Sequence, residues 1–275
     1  MNITSPRKVG ASPNTAPGDR RPRSVALDVL AFSNALPAGL AGALTIAAGQ
    51  ALSTPAPLRW AMAAASGGVV IYGFDRLRDQ ALDRRTSPLR TAFVVRHARA
   101  LWISIAVAAC VLLATLWGAP AAAAGLYVGV GTIGLLHRRL KHLAGLKTLY
   151  VSLAWTVATA GAPYLAGGAG PVLDIGAIFF ASVAANLIAS NLRDDEAPLL
   201  LSPPIRALLL ARIMAAAGVA LALGAPAPLT PFVWIPAAEF GALAFFRPTE
   251  RYGHLAVDGA LLAGALVTLI HQAIT

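Results

Sequence analysis

The stretch YGFDRLRDQALDRRTSP, Tyr72–Pro88, decides how this chain is read. It closes a long apolar run and opens a strongly charged connection. Asp75, Asp79 and Asp83 recur every four residues. On a helix, four residues rise about 6 Å and drift about 40°, so the spacing predicts three carboxylates in one narrow stripe. Like charges stacked this way repel by roughly 0.2–0.5 kcal/mol per pair. The interleaved Arg76, Arg78, Arg84 and Arg85 can offset that repulsion, and so can a divalent cation.

Outward from this stretch the chain is apolar. Of 275 residues, 57% are hydrophobic and only 12% charged, against about 25% charged in a soluble domain. That composition predicts a multi-pass integral membrane protein of one domain in the lipid bilayer, with a bacterial inner membrane as the expected location. The formal net charge of +10 does not point to nucleic acid, because the positive residues are sorted by membrane side rather than gathered on one surface. The single cysteine, Cys110, allows no intrachain disulfide and suggests no thiolate metal site. Residues 1–24 are rich in Pro, Arg, Ser and Asn and lack an apolar h-region, so they read as a disordered cytosolic tail.

Nine apolar segments approach the roughly 20 residues that span a bilayer: 25–49, 57–77, 99–117, 120–137, 148–166, 173–191, 205–223, 229–246 and 253–274. The expected fold is therefore an all-α bundle of nine transmembrane helices over residues 25–275. Of the 22 Lys and Arg residues, 20 fall on alternating connections, which puts the N-terminus in the cytosol and the C-terminus outside. Arg59 and Arg212 are the exceptions. Carboxylates contribute little to orientation, so the clusters Asp75/Asp79/Asp83 and Asp194/Asp195/Glu196, after the second and sixth segments, call for another explanation.

Two acidic clusters at one membrane face, with Arg and Lys between them, suit a diphosphate. Mg²⁺ takes hard oxygen ligands and keeps part of its coordination for water and substrate phosphate. Carboxylates on two helices can hold Mg²⁺ over a diphosphate, with Arg138, Arg139, Lys141, Lys147 or Arg193 on its remaining oxygens. On an allylic carbon, that arrangement stabilises the leaving group as the C–O bond breaks. The carbocation needs a dry chamber with aromatic faces, which a bundle in lipid offers.

These features resemble the UbiA superfamily of intramembrane prenyltransferases, which have nine transmembrane helices and two Asp-rich cytosolic motifs, after helices 2 and 6. The family's N-D-x-x-D-x-x-x-D is matched by Asp75-Arg76-Leu77-Arg78-Asp79-Gln80-Ala81-Leu82-Asp83, where Asp79 and Asp83 agree, Asp75 replaces Asn and Arg76 replaces Asp. The second motif, D-x-x-D-x-x-x-D, falls on Asn191–Pro198, where Asp194 alone is in register and Asn191 and Pro198 replace the flanking acids. His137–Lys141 and Lys147–Tyr150 resemble the family's connection into helix 5. The resemblance implies Mg²⁺-dependent transfer of a prenyl group from a prenyl diphosphate to a hydrophobic acceptor. It implies Asp79, Asp83 and Asp194 as catalytic metal ligands, with Asp75 and Asp195 auxiliary. Arg76, Arg138, Lys141, Lys147 and Arg193 would contact substrate, and so would Asn34 in the first span.

Other readings stand beside this one. The acids can be solvated helix ends paired with neighbouring arginines. Arg76 can replace a cation or mark a lost metal site. A catalytically inactive membrane or lipid-binding protein of the same fold, or a terpene cyclase that needs no acceptor, would carry the same features. Glu239, near mid-span, is a functional candidate because an intramembrane acid is costly; Asp28 and Asp258 lie nearer span ends.

Overall fold

The structure, a computed structural model, describes residues 22–140, 146–194 and 204–275, and only the backbone of residues 22–24, 82 and 137–140. The expected tail at 1–24 lies outside the described residues but for the backbone of its last three. The order is α1 (Pro22–Phe32), α2 (Ala35–Ala51), α3 (Pro57–Arg78), α4 (Gln80–Thr86), α5 (Pro88–Arg96), α6 (Ala98–Leu116) and α7 (Ala121–Leu140). Then come α8 (Leu146–Thr156), a π-helical stretch (Val157–Gly161), α9 (Ala162–Leu165), α10 (Val172–Arg193) and α11 (Pro204–Gly224). A 3₁₀ stretch (Ala227–Val233) leads into α12 (Trp234–Ala244), and α13 (Glu250–Tyr252) runs through a second π stretch (Gly253–Asp258) into α14 (Gly259–Ile274). Among the described residues there is no strand.

Each of the nine expected segments is helical, but they do not all qualify as spans. Among the described residues, four helices are long and apolar enough to cross a bilayer: Ala98–Leu116, Val172–Arg193, Pro204–Gly224 and Glu250–Ile274. The pair Val25–Phe32 and Ala35–Ala51 makes a fifth if counted as one bent span. These helices support an integral membrane protein; the others are too short, too interrupted or, like α3 with Arg59, Asp75, Arg76 and Arg78, too charged to meet the same measure.

The span expected at 25–49 is not one helix. It bends by 54° at Ser33–Asn34, between α1 and α2. A break leaves backbone carbonyls without partners, which is costly inside a membrane. Arg76 supplies the partners: its guanidinium donates to the carbonyls of Phe32 and Ser33. The same solution recurs at two further helix ends. Arg59 donates from Nε to Thr115 O and from Nη2 to Trp117 O, both at 2.7 Å, at the end of α6. Arg212 donates to Leu243 O at 3.1 Å and Ala244 O at 3.2 Å, at the end of α12. The two arginines that the topology left over are thus cations on the negative ends of neighbouring helices.

α10 is the most enclosed of the four long helices, with 61% of its apolar window buried against 22% for α6 and 28% for α11. Ile175, Ile178 and Phe179 on α10 pack with Leu44 on α2, Phe232 and Ile235, and Leu261 on α14. Between lipid-embedded helices water expulsion is not the driving force, so close packing carries the association. The many alanines at these contacts, such as Ala47, Ala48, Ala211 and Ala215, let backbones approach.

Candidate functional site

The three acids of the opening stretch do not form one stripe. α3 ends at Asp79, whose ψ of 13° departs from the helical value, and α4 starts afresh at Gln80. The acids consequently reach different surroundings. The Asp75 side chain is 36% exposed, Asp79 is buried, and Asp83 points along α4 to a different arginine.

Each of these acids, and Asp194, meets an arginine. Arg78 Nη2 lies 3.4 Å from Asp75 Oδ1, and its Nε lies 3.7 Å from Asp79 Oδ1. Arg90 Nη2 lies 3.0 Å from Asp83 Oδ2, and its Nη1 lies 3.7 Å from Asp194 Oδ2. Arg193 grips Asp194 bidentately, with Nε to Oδ1 at 2.8 Å and Nη2 to Oδ2 at 2.9 Å. Ser87 Oγ adds a bond to Asp194 Oδ1 at 3.2 Å. Arg90 therefore joins the two acidic clusters. It stands in the first turn of α5, where Glu250 accepts from the backbone N–H groups of Leu89 at 3.0 Å and Arg90 at 2.9 Å, a carboxylate on a helix N-terminus.

The electrostatics follow from these pairs. Burial pushes the Asp83 carboxyl up, and the neighbouring carboxylates Asp194, Asp75 and Asp79 add to that, outweighing the downward pull of Arg90. Burial pushes Asp194 up as well, but the hydrogen bonds and charge of Arg193, with the charge of Arg90, hold it well below the usual carboxylate range. Among the described residues no group of three or more His, Cys, Asp or Glu side chains is gathered closely enough to hold a metal.

Beside the charged cluster lies an apolar cavity of about 240 Å³ between α2, α3, α6, α7 and α8. Tyr72, Asp75, Tyr127, Leu135, Tyr150 and Trp155 are among its walls. Trp155 Nε1 donates to Tyr72 Oη at 2.9 Å, and the two rings meet edge-on with centroids 6.1 Å apart. Ala158 and Thr159 of the first π stretch also line it. Such local unwinding often re-aims side chains at functional sites.

Other expected residues are placed as follows. Asn34 is buried at the break between α1 and α2, against Gly73, where an added Cβ would lie 2.8 Å from its Nδ2 and 2.7 Å from Ile105. Asn191 donates to Thr148 Oγ1 at 3.2 Å rather than joining the acids. Lys147 lies in the first turn of α8. Lys141, Asp195 and the Arg138 side chain lie outside the described residues. Glu239 is fully buried on α12, with Asn186 and Asp258 as its polar neighbours. Arg76, expected at the substrate, is turned instead to the carbonyls that end α1.

Arg90, Glu250 and His254 are not among the site residues expected from the sequence. His254 Nδ1 lies 2.9 Å from Asp258 Oδ2 and 3.3 Å from Arg193 Nη1, and Asn186 donates to Asp258 Oδ1 at 3.1 Å. This buried chain backs the Arg193–Asp194 pair. Gly253 makes room for it, since the Arg193 side chain occupies the space a Cβ would need. The one usable signal was the Pro88-Leu89-Arg90 start of α5 after Ser87.

Neither a family model nor a curated protein matches the chain. Among solved structures, it is similar to the apo structure of a UbiA homolog from Aeropyrum pernix K1, with a TM-score of 0.63 and 20% identity over 84% of this chain and 98% of that one. At that identity the likeness speaks for architecture: the chain has a UbiA-like fold.

Proposed function

We propose that the chain binds an isoprenoid diphosphate and transfers its prenyl group to a hydrophobic acceptor within the membrane. The observation that carries this reading is the aromatic-walled cavity of about 240 Å³ with a charged flank, in a UbiA-like helical fold. The apolar walls would take the prenyl tail. In the reaction the allylic C–O bond breaks and its electron pair leaves with the diphosphate. A bond then forms from the acceptor to the allylic carbon, and the acceptor loses a proton. Tyr72 and Trp155 present ring faces and edges to the cavity, where they would steady the cation. Asp75, the carboxylate on the wall, would take the proton. Lys147, in the first turn of α8, would add positive charge near the diphosphate. The Lys and Arg bias supports a cytosolic charged end, with the N-terminus inside and the C-terminus outside a bacterial inner membrane.

Mg²⁺ fits the chemistry of the acids but not the described arrangement of them. Asp194 gives both oxygens to Arg193, Asp83 pairs with Arg90, and no three-ligand group forms among the described residues. In this reading Asp79, Asp83 and Asp194 position arginines. The same locked ion pairs favour one second reading, a lipid-binding protein with this fold and no turnover.

The test mixes purified protein with prenyl diphosphates of several chain lengths and a hydroxylated aromatic acid, with and without Mg²⁺. The expected result is diphosphate release together with a prenylated acceptor. Binding without release supports the lipid-binding reading, release with a cyclised product and no acceptor supports a cyclase, and neither binding nor release sinks the proposal.

A further inference from the structure

Resting on that reading, we propose that Arg78, rather than a divalent cation, holds the diphosphate at the mouth of the cavity. Arg78 touches two residues of the cavity wall, Asp75 and Leu135. It stands in the last turn of α3, and its guanidinium lies 5.7 Å from the centre of the Phe74 ring, which orients it.

What distinguishes Arg78 is how loosely it is held. Its contacts are 3.4 Å to Asp75, 3.7 Å to Asp79 and 3.5 Å to the Leu135 carbonyl. All lie beyond the 2.7–2.9 Å of a well-formed charge-assisted bond. Its Nε is buried without a hydrogen-bond acceptor, as is that of Arg90, so the long distances rather than this nitrogen set it apart. Its neighbours are committed: Arg193 to Asp194 at 2.8 and 2.9 Å, Arg76 to the carbonyls ending α1, and Arg90 to Asp83 at 3.0 Å. A guanidinium with spare donors, in contact with two wall residues of an apolar cavity, is matched to a phosphate anion, which accepts its forked N–H groups in parallel.

Binding then exchanges partners. The diphosphate oxygens take the Arg78 N–H groups from Asp75, and Asp75 is left as an unpaired carboxylate on the cavity wall. When the C–O bond breaks, the electron pair and its negative charge go to the diphosphate, whose terminal oxygens face Arg78. Asp75, freed by the same exchange, takes the proton that the acceptor loses. Arg78 thus offsets part of the diphosphate charge, and Asp75 receives the proton.

The test measures equilibrium binding of farnesyl diphosphate to the purified full chain in EDTA, with farnesol as a probe that lacks the diphosphate. The wild type is expected to bind farnesyl diphosphate without metal. Arg78→Gln is expected to weaken that binding by about 10- to 100-fold, the loss of charge-assisted bonds, while changing farnesol binding by less than about twofold. Arg78→Lys should fall between. If the wild type binds farnesyl diphosphate only after Mg²⁺ is added, the arginine assignment is overturned and the cavity reading survives. Equal binding by Arg78→Gln, or an equal loss of both probes, also overturns it. If the wild type binds neither probe with or without Mg²⁺, the functional reading itself fails.

Discussion

Arg193 and Arg78 each meet an aspartate at the charged end of the bundle, yet they are built for different tasks. The Arg193 side chain is 5% exposed and bonds Asp194 bidentately at 2.8 and 2.9 Å, with His254 and Asp258 packed behind it. The Arg78 side chain is 27% exposed and holds its carboxylates at 3.4 and 3.7 Å. A buried ion pair strongly resists losing one partner, because the other charge is left stranded. A long, partly exposed pair such as Arg78 with Asp75 contributes little to stability and exchanges partners at little cost. The difference separates an arginine that holds helices together from one that can receive a ligand.

The largest expected effect is on the tight pair. Arg193→Ala leaves Asp194 buried beside Ser87 and a more distant Arg90, and should cost about 3–5 kcal/mol. Thermal unfolding of the purified protein checks this; a loss below about 1 kcal/mol would mean the pair is not a structural anchor at the end of α10. An intermediate effect comes from pH. The Asp194 carboxyl is held below its value in the unfolded chain, about 3.9. A depressed acid contributes its stability above that unfolded value and loses it as pH falls through the folded one. Melting temperature should therefore drop below about pH 4, and Asp194→Asn should show a shallower drop. An unchanged slope in the variant would assign the acid sensitivity elsewhere. The smallest effect belongs to the loose pair: Arg78→Gln should change stability by less than about 1 kcal/mol. A larger loss would place Arg78 with Arg193 as a structural residue and remove the contrast.

Much of the architecture was legible in the chain. The apolar segments all became helices, because hydropathy and helix propensity are read over a window of neighbouring residues. Residues near 72–88 and 194 were recognisable as a charged end because charge is conspicuous beside apolar runs. The span at 25–49 misled, since a bend at Ser33–Asn34 needs a partner for its carbonyls, and Arg76 is 44 residues away from Phe32. The acid stripe misled because spacing by four assumes one continuous helix, and α3 ends at Asp79. Arg76, which motif comparison set against a metal ligand, turned out to be a helix cap.

By itself the sequence determined a helical membrane protein with acids and bases gathered at one end, since composition and periodicity are local properties. Only the tertiary structure decided which arginine answers which acid. Most of these pairs are close in sequence, but the contacts that fix their burial and join the two clusters come from distant parts of the chain: Ser87 and Asp194 are 107 residues apart, and Leu89 and Glu250 are 161 apart. Ion-pair strength depends on distance and burial, and both are set by how α3, α5 and α10 pack, so no reading of spacing along the chain could tell the tight arginine from the loose one.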